Sequence, residues 1–162
     1  MKRIIYGAAA TTLMLLGCKE SFKKRSEGLM YKIISDGKGE KIQNGNFFEI
    51  QFDQTYKAGN KDTVLADSRN FGNQIAQMDS LGIPPAYYKI FSQIRKGDSV
   101  VIKQSTDSII KMGNAPEFLK KGQFIISHYK IVNIFTSKEQ ADSAAKAQYD
   151  VARQKDSVKA AA

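Results

Sequence analysis

Between Ile83 and Ser105 the chain reads IPPAYYKIFSQIRKGDSVVIKQS, and this stretch constrains the fold more than any other. Pro84 and Pro85 cannot sit inside a helix, but they suit its first turn, where no amide donor is needed. Tyr87, Phe91 and Ile94 then recur at i, i+4 and i+7 and share one helix face, with Tyr88 and Ile90 flanking it. Lys96-Gly97-Asp98 supplies a basic last turn and a glycine able to take a left-handed conformation, so the helix is expected to stop there. Ser99 to Gln104 is β-branched and reads as a strand. Such a helix–turn–strand corner either fills a core or, at the helix entrance, lines an apolar hollow with Ile83, Pro84 and Tyr87.

The N-terminus is read as a targeting segment. Lys2 and Arg3 form a positive n-region, Ile4 to Leu16 an apolar h-region, and the segment ends Leu15-Leu16-Gly17-Cys18. That ending resembles a bacterial lipobox, which implies cleavage before Cys18 and acylation of Cys18. Several acyl chains give a durable anchor where one would not. The expected organisation is a signal peptide over 1–17, a lipidated tether over 18–27, a domain over 28–135 and an Ala/Lys-rich tail over 136–162. The expected place is the bacterial cell envelope, lipid-anchored in the bilayer through Cys18. Lys19 lacks the aspartate that retains enteric lipoproteins in the inner membrane, which favours the outer membrane.

Composition excludes other classes. The formal net charge is +9, but the basic residues are scattered along the chain, so nucleic acid is not an expected partner. One cysteine and one histidine cannot make a disulfide or a Cys/His zinc cluster. No metal or cofactor is expected.

Period-2 alternation marks strands at Leu29 to Ser35 and Phe47 to Tyr56, where Phe48, Ile50 and Phe52 share one face. Asp36-Gly37-Lys38-Gly39 and Asn44-Gly45-Asn46 read as turns. Lys57 to Asp62 reads as a loop and Thr63 to Asp67 as a short strand. Ser68 to Gly82 and Thr106 to Gly122 look irregular. On the last strand, Gln123 to Phe135, one face holds Ile125, Ser127, Tyr129 and Ile131. His128 falls on the more polar face, as a solvent-facing histidine. Ser137 to Ala162 reads as an exposed marginal helix or a disordered tail. The order of elements implies an α+β fold, a curved antiparallel sheet of about five strands wrapped around one short helix.

Motif by motif, the domain resembles the FKBP-type peptidyl-prolyl cis-trans isomerases. Gly28 to Ile33 is similar to their "GLxYxV" opening and Asp36 to Gly39 to their "EGxG" turn. Phe47 to Phe52 resembles "VxVxY", and Leu65-Ala66-Asp67-Ser68 resembles "FDSS". Ile83 to Ile102 is similar to "VIPGWEEALxxMKVGxKxxxxI" and Gln123 to Ile134 to the closing "TLxFxVxLxxI" strand. The resemblance implies a binding pocket built from Phe52, Ala66, Asp67, Ile83, Pro84, Tyr87, Ile110 and Ser127. Phe52 stands for the family's tyrosine, Tyr87 for its floor tryptophan, and Ala66 (or Leu65, if the register shifts by one) and Ser127 for two phenylalanines. Ile110 falls near the loop tyrosine that hydrogen-bonds the ligand.

The implied activity is cis-trans isomerisation of proline-containing segments of exported proteins, assisting their folding. It needs no nucleophile, metal or proton transfer, so no catalytic acid or base is expected. A dry aromatic pocket disfavours the charge-separated planar amide relative to the twisted one. Ala66 and Ser127 widen such a pocket, and Ser105 to Gly122 offers no aromatic hydroxyl, so weak catalysis or none is expected. The alternative is a catalytically inactive FKBP-like module that binds a peptide or stabilises an envelope complex.

Overall fold

The computed structural model describes residues 21–35, 38–113 and 115–160. The expected signal peptide, Cys18 and the Asp36-Gly37 half of the first turn lie outside the described residues. In chain order the elements are β1 (Lys23–Lys24), β2 (Leu29–Ile34), β3 (Phe47–Ala58), β4 (Lys61–Asp67), β5 (Gln74–Gln77), α1 (Pro85–Phe91), β6 (Ser99–Ser105), α2 (Thr106–Lys111), β7 (Phe124–Phe135) and α3 (Lys138–Ala160). The strands form one antiparallel sheet in the order β1-β2-β6-β7-β3-β4, with β5 also paired to β3. Its five longer strands are those the alternation implied. The short β1 and β5 bring the sheet to seven.

Alternation decides which side chains face α1. Leu29 and Tyr31 of β2, Val100 and Ile102 of β6, Ile131 of β7 and Phe48 of β3 are buried on the inner face, with Ile90 and Ile94 lying on them. Full burial of an Ile or Phe stabilises by roughly 1.5–3 kcal/mol each, so this layer is the main source of the fold's stability. A bulge between Glu49 and Ile50, on the β3–β7 pair, keeps Ile50 opposite Ile131 and Phe48 opposite Ile134 on that same inner face.

Several local expectations need correction. The helix begins at the second proline, as expected, but ends at Phe91, well before Gly97. Ile94 reaches the core from the following turn, and Ile90, expected on the flank, is fully buried. Asp98 holds that turn: its Oδ2 accepts from the Arg95 amide at 2.9 Å and its Oδ1 from the Ser35 hydroxyl at 2.7 Å. Gly97 takes φ +92°, the left-handed conformation anticipated for it. Lys57 to Asp62 is no loop. β3 and β4 run on to a two-residue Gly59-Asn60 turn.

Ser68 to Gly82 contains β5, and Thr106 to Gly122 opens with α2, capped by the Ser105 hydroxyl accepting from the Asp107 amide at 3.3 Å. The tail is helical over α3. It packs on the outer face at one end of β3 and β7, burying Ala141 and Phe135. There the Glu49 carboxylate accepts from Gln148 Nε2 of α3 at 2.8 Å and from Asn73 Nδ2 at 2.7 Å. No described helix is long and apolar enough to cross a membrane.

Candidate functional site

Two adjacent rows of the inner face carry the residues of interest. In one, Ala66 lies opposite Gln54, Gln54 opposite Ser127, Ser127 opposite Ile102, and Ile102 opposite Tyr31. In the other, Phe52 lies opposite Tyr129 and Tyr129 opposite Val100. The first row is narrow where the resemblance implied two phenylalanine rings: Ala66 is half-buried, and Ser127 is only 4% exposed. The second row is aromatic. Phe52 stacks on Tyr129 with ring centroids 6.0 Å apart, and Tyr129 meets Phe91 of α1 edge-on at 5.6 Å. Phe91 lies against Phe48 at 5.4 Å, and Phe71 meets Phe52 edge-on at 5.9 Å. A run of rings thus passes from the core outward to Phe71, which is 55% exposed.

Tyr87, on the first turn of α1, packs half-buried against the same core. Its hydroxyl donates to Gln104 Oε1 at 3.2 Å. Burial pushes its phenol above the ordinary value of 10, and the proximity of Tyr129 adds to the effect. Tyr129 is placed differently. Its oxygen accepts from Gln54 Nε2 at 3.3 Å, which leaves its own proton able to be donated.

Ile83 is half-buried against the core, and Pro84 is exposed at the helix entrance. Asp79 folds the preceding turn: its carboxylate accepts from the Leu81 amide and its carbonyl from the Ile83 amide, each at 3.0 Å. That turn leaves Leu81 94% exposed, two residues before Ile83.

Asp67 does not offer a bare carboxylate. Arg69 grips it through Nη2 at 2.6 Å and Nε at 2.8 Å, and the Arg69 amide donates to it at 2.9 Å. The Arg69 guanidinium hydrogen bond holds the Asp67 carboxyl below the usual carboxylate range. Ser68, next in line, is fully buried, and its hydroxyl accepts from the Phe52 amide at 2.8 Å, tying this turn to β3. Ile110 is half-buried on α2, an element that packs on β6 and the Ser26–Gly28 turn.

The structure therefore sets Phe52 beside Tyr129 on the inner face, with Ala66 and Ser127 in the adjoining row, and packs Ile83 and Tyr87 against the same core from the start of α1. Asp67 stands at the edge, paired to Arg69. Tyr129, Gln54, Phe71 and Gln104 were not among the residues expected there. Tyr129 was on the correct face by alternation, two residues from Ser127, and that was the available signal.

A separate shallow hollow of about 330 Å³ lies on the outer face, between Ile34, Asp53, Arg69, Val101, His128 and Lys130. His128 is exposed there, its Nδ1 2.9 Å from Asp53 Oδ2. Phe52 reaches this hollow, but the other residues expected at the site do not line it. Among the described residues no group of three or more His, Cys, Asp or Glu side chains is placed to hold a metal ion.

No family model matches the sequence, and no curated protein matches it significantly. Solved structures do match. FkpA from Escherichia coli superposes with a TM-score of 0.55 at 16% identity, over 73% of this chain and 53% of that one. A peptidyl-prolyl cis-trans isomerase from Pseudomonas syringae pv. tomato superposes with a TM-score of 0.52 at 12% identity, over 73% of this chain and 84% of that one. The chain thus spans about half the length of FkpA. The fold is FKBP-like, as the order of motifs implied.

Proposed function

We propose that this FKBP-like domain binds proline-containing segments of exported polypeptides and speeds rotation about the bond preceding proline. We also propose that it works in the bacterial envelope, anchored to the bilayer, and to the outer membrane rather than the inner, through acylated Cys18. The observation that carries the reading is the half-buried aromatic pair Phe52 and Tyr129 on the inner face, with Tyr87 packed on the same core from the first turn of α1 and the Tyr129 phenol able to donate. The prolyl bond has a barrier of roughly 18–20 kcal/mol, set by amide resonance. An apolar wall disfavours the charge-separated planar form. The Tyr129 hydroxyl, held in place by Gln54, orients the carbonyl before proline. This supplies a donor that Ile110 cannot.

The test is a prolyl-peptide isomerisation assay on residues 18–162 carrying Cys18→Ser. A rate above buffer is expected, and Tyr129→Phe should lower the catalysed part about fivefold, the equivalent of one hydrogen bond of roughly 1 kcal/mol. A rate equal to buffer at high protein concentration rejects isomerisation. Small side chains at Ala66 and Ser127, and the Asp67 carboxylate occupied by Arg69, favour a second reading, a peptide-binding module without activity. Saturable binding of a proline-containing peptide with no rate enhancement would select it. The anchor is tested apart from both, by fatty-acid labelling of the native chain, which Cys18→Ser should abolish.

A further inference from the structure

We infer that the β1 edge of the domain is a lipid-facing surface that binds anionic head groups. The inference rests on the lipid-anchored reading for its setting and on the structure for its chemistry. Phe22, Lys23, Lys24 and Arg25 are consecutive and exposed, Phe22 by 42%. They do not trail free as part of a tether. Lys23 and Lys24 pair with Tyr31 and Met30 of β2, and the Arg25 amide donates to the Leu29 carbonyl at 2.7 Å. The Arg25 guanidinium lies 5.5 Å over the Tyr31 ring, with Nη2 3.4 Å from its hydroxyl. Lys24 and Arg25 then share a shallow depression with Lys89 of α1, where Glu27 is the acidic neighbour.

An exposed aromatic ring followed by three cations on an ordered backbone suits a bilayer surface. The ring enters the boundary between head groups and acyl chains, and the cations meet the phosphates. The leash strengthens the case. From Cys18 to Lys23 the chain can span only about 18 Å, at most ~3.6 Å per residue. β1 is therefore kept within reach of any surface that holds Cys18. Charge attraction to a membrane decays over about 8 Å at physiological salt, so the short leash makes a modest patch effective. Pro85 borders the same depression, so docking would hold the entrance of α1 next to the bilayer.

The test uses residues 18–162 with Cys18→Ser, a span that contains every described element and no acyl chain. Its partition is measured on vesicles of phosphatidylcholine with 30% phosphatidylglycerol and on phosphatidylcholine alone. Binding to the anionic vesicles only is expected. K23E/K24E/R25E should lower it at least tenfold, and K61E/K120E/K121E, an equal charge change at exposed lysines elsewhere, less than threefold. Because Arg25 touches Tyr31, K23Q/K24Q is measured beside it and should still lose several-fold with its melting temperature unchanged. Equal losses in the two triple variants, or no preference for anionic vesicles, would overturn the inference. Fatty-acid labelling of the native chain reports on Cys18 independently, so failure of the anchor and failure of the lipid-facing edge give different results.

Discussion

Tyr87 and Tyr129 face the same core from opposite sides, and their hydroxyls are committed differently. The Tyr87 proton is given to Gln104, and burial holds its phenol above the usual value. The sign of the pH effect follows. Above about pH 10 an unfolded chain releases this proton while the folded one keeps it. The folded state then binds more protons, so stability is complete below that pH and falls as pH rises above it. Tyr87→Phe should remove this part of the alkaline slope. At neutral pH it should cost about 1 kcal/mol, because Gln104 Oε1 loses its donor. Urea unfolding at pH 7 and at pH 10.5 measures both. Asp67 behaves in the opposite sense. Its carboxyl is held low by Arg69, so the stability from that pair is present above about pH 3.9 and lost as pH falls through the lowered value. Arg69→Ala should raise the Asp67 titration towards the ordinary range, seen by NMR, while the residue-69 amide keeps part of the lowering. It should also improve binding of peptides with a lysine beside proline, since the carboxylate becomes available; unchanged affinity would show that Asp67 does not reach the peptide.

At the scale of elements, the corner from Ile83 to Ser105 was legible because its signals are strong and local: paired prolines, an apolar period and a glycine turn ahead of a β-branched run. Its helix is shorter than the period suggested because Asp98 closes a turn from Arg95 and lets Ile94 enter the core without helical backbone. α2 was hidden differently. Ser105 and Asp107 form a recognisable cap, but Gly113, Asn114 and Pro116 a few residues on made the whole segment read as loop. β5 is a four-residue Gln-Ile-Ala-Gln alternation, too short to stand out, and it exists because β3 is long enough to pair with it beyond β4. Tyr129 was missed because matching the closing strand to a template put the family's ring at Ser127. Only the pairing of β7 with β3 brings Tyr129 beside Phe52. One close approach is a matter of elements alone. Gly39 passes so near the turn after α1 that an added Cβ would sit 1.9 Å from the Lys96 carbonyl oxygen. The Lys96 amide meanwhile donates to Glu40 at 2.8 Å, which fixes the two segments together. Gly39→Ala must therefore part them, at a cost of roughly 1–3 kcal/mol. A fall in melting temperature of several degrees checks this, and an unchanged value would mean that the segment moves freely.

For the whole molecule, the sheet separates two kinds of work. The inner face joins the core to the candidate site through an unbroken run of rings, from Phe48 by way of Phe91 and Tyr129 to Phe52. The outer face carries α3, whose contact with the domain depends on Ala141, on Phe135 and on Gln148 bound to the largely buried Glu49. Removing residues 138–162 would uncover Phe135 and leave Glu49 with Asn73 as its described partner. The loss of that hydrogen bond to a charged acceptor is worth about 1.5–3 kcal/mol, and the uncovered apolar surface adds to it. The truncated chain should therefore melt several degrees lower. Its aromatic surface is built from β3, β7 and α1 and should not change. Peptide affinity per folded molecule should match that of the full chain, measured well below the melting temperature. A drop in affinity with the fold intact would mean instead that α3 belongs to the binding surface, through the hollow that its Val151 shares with Phe71.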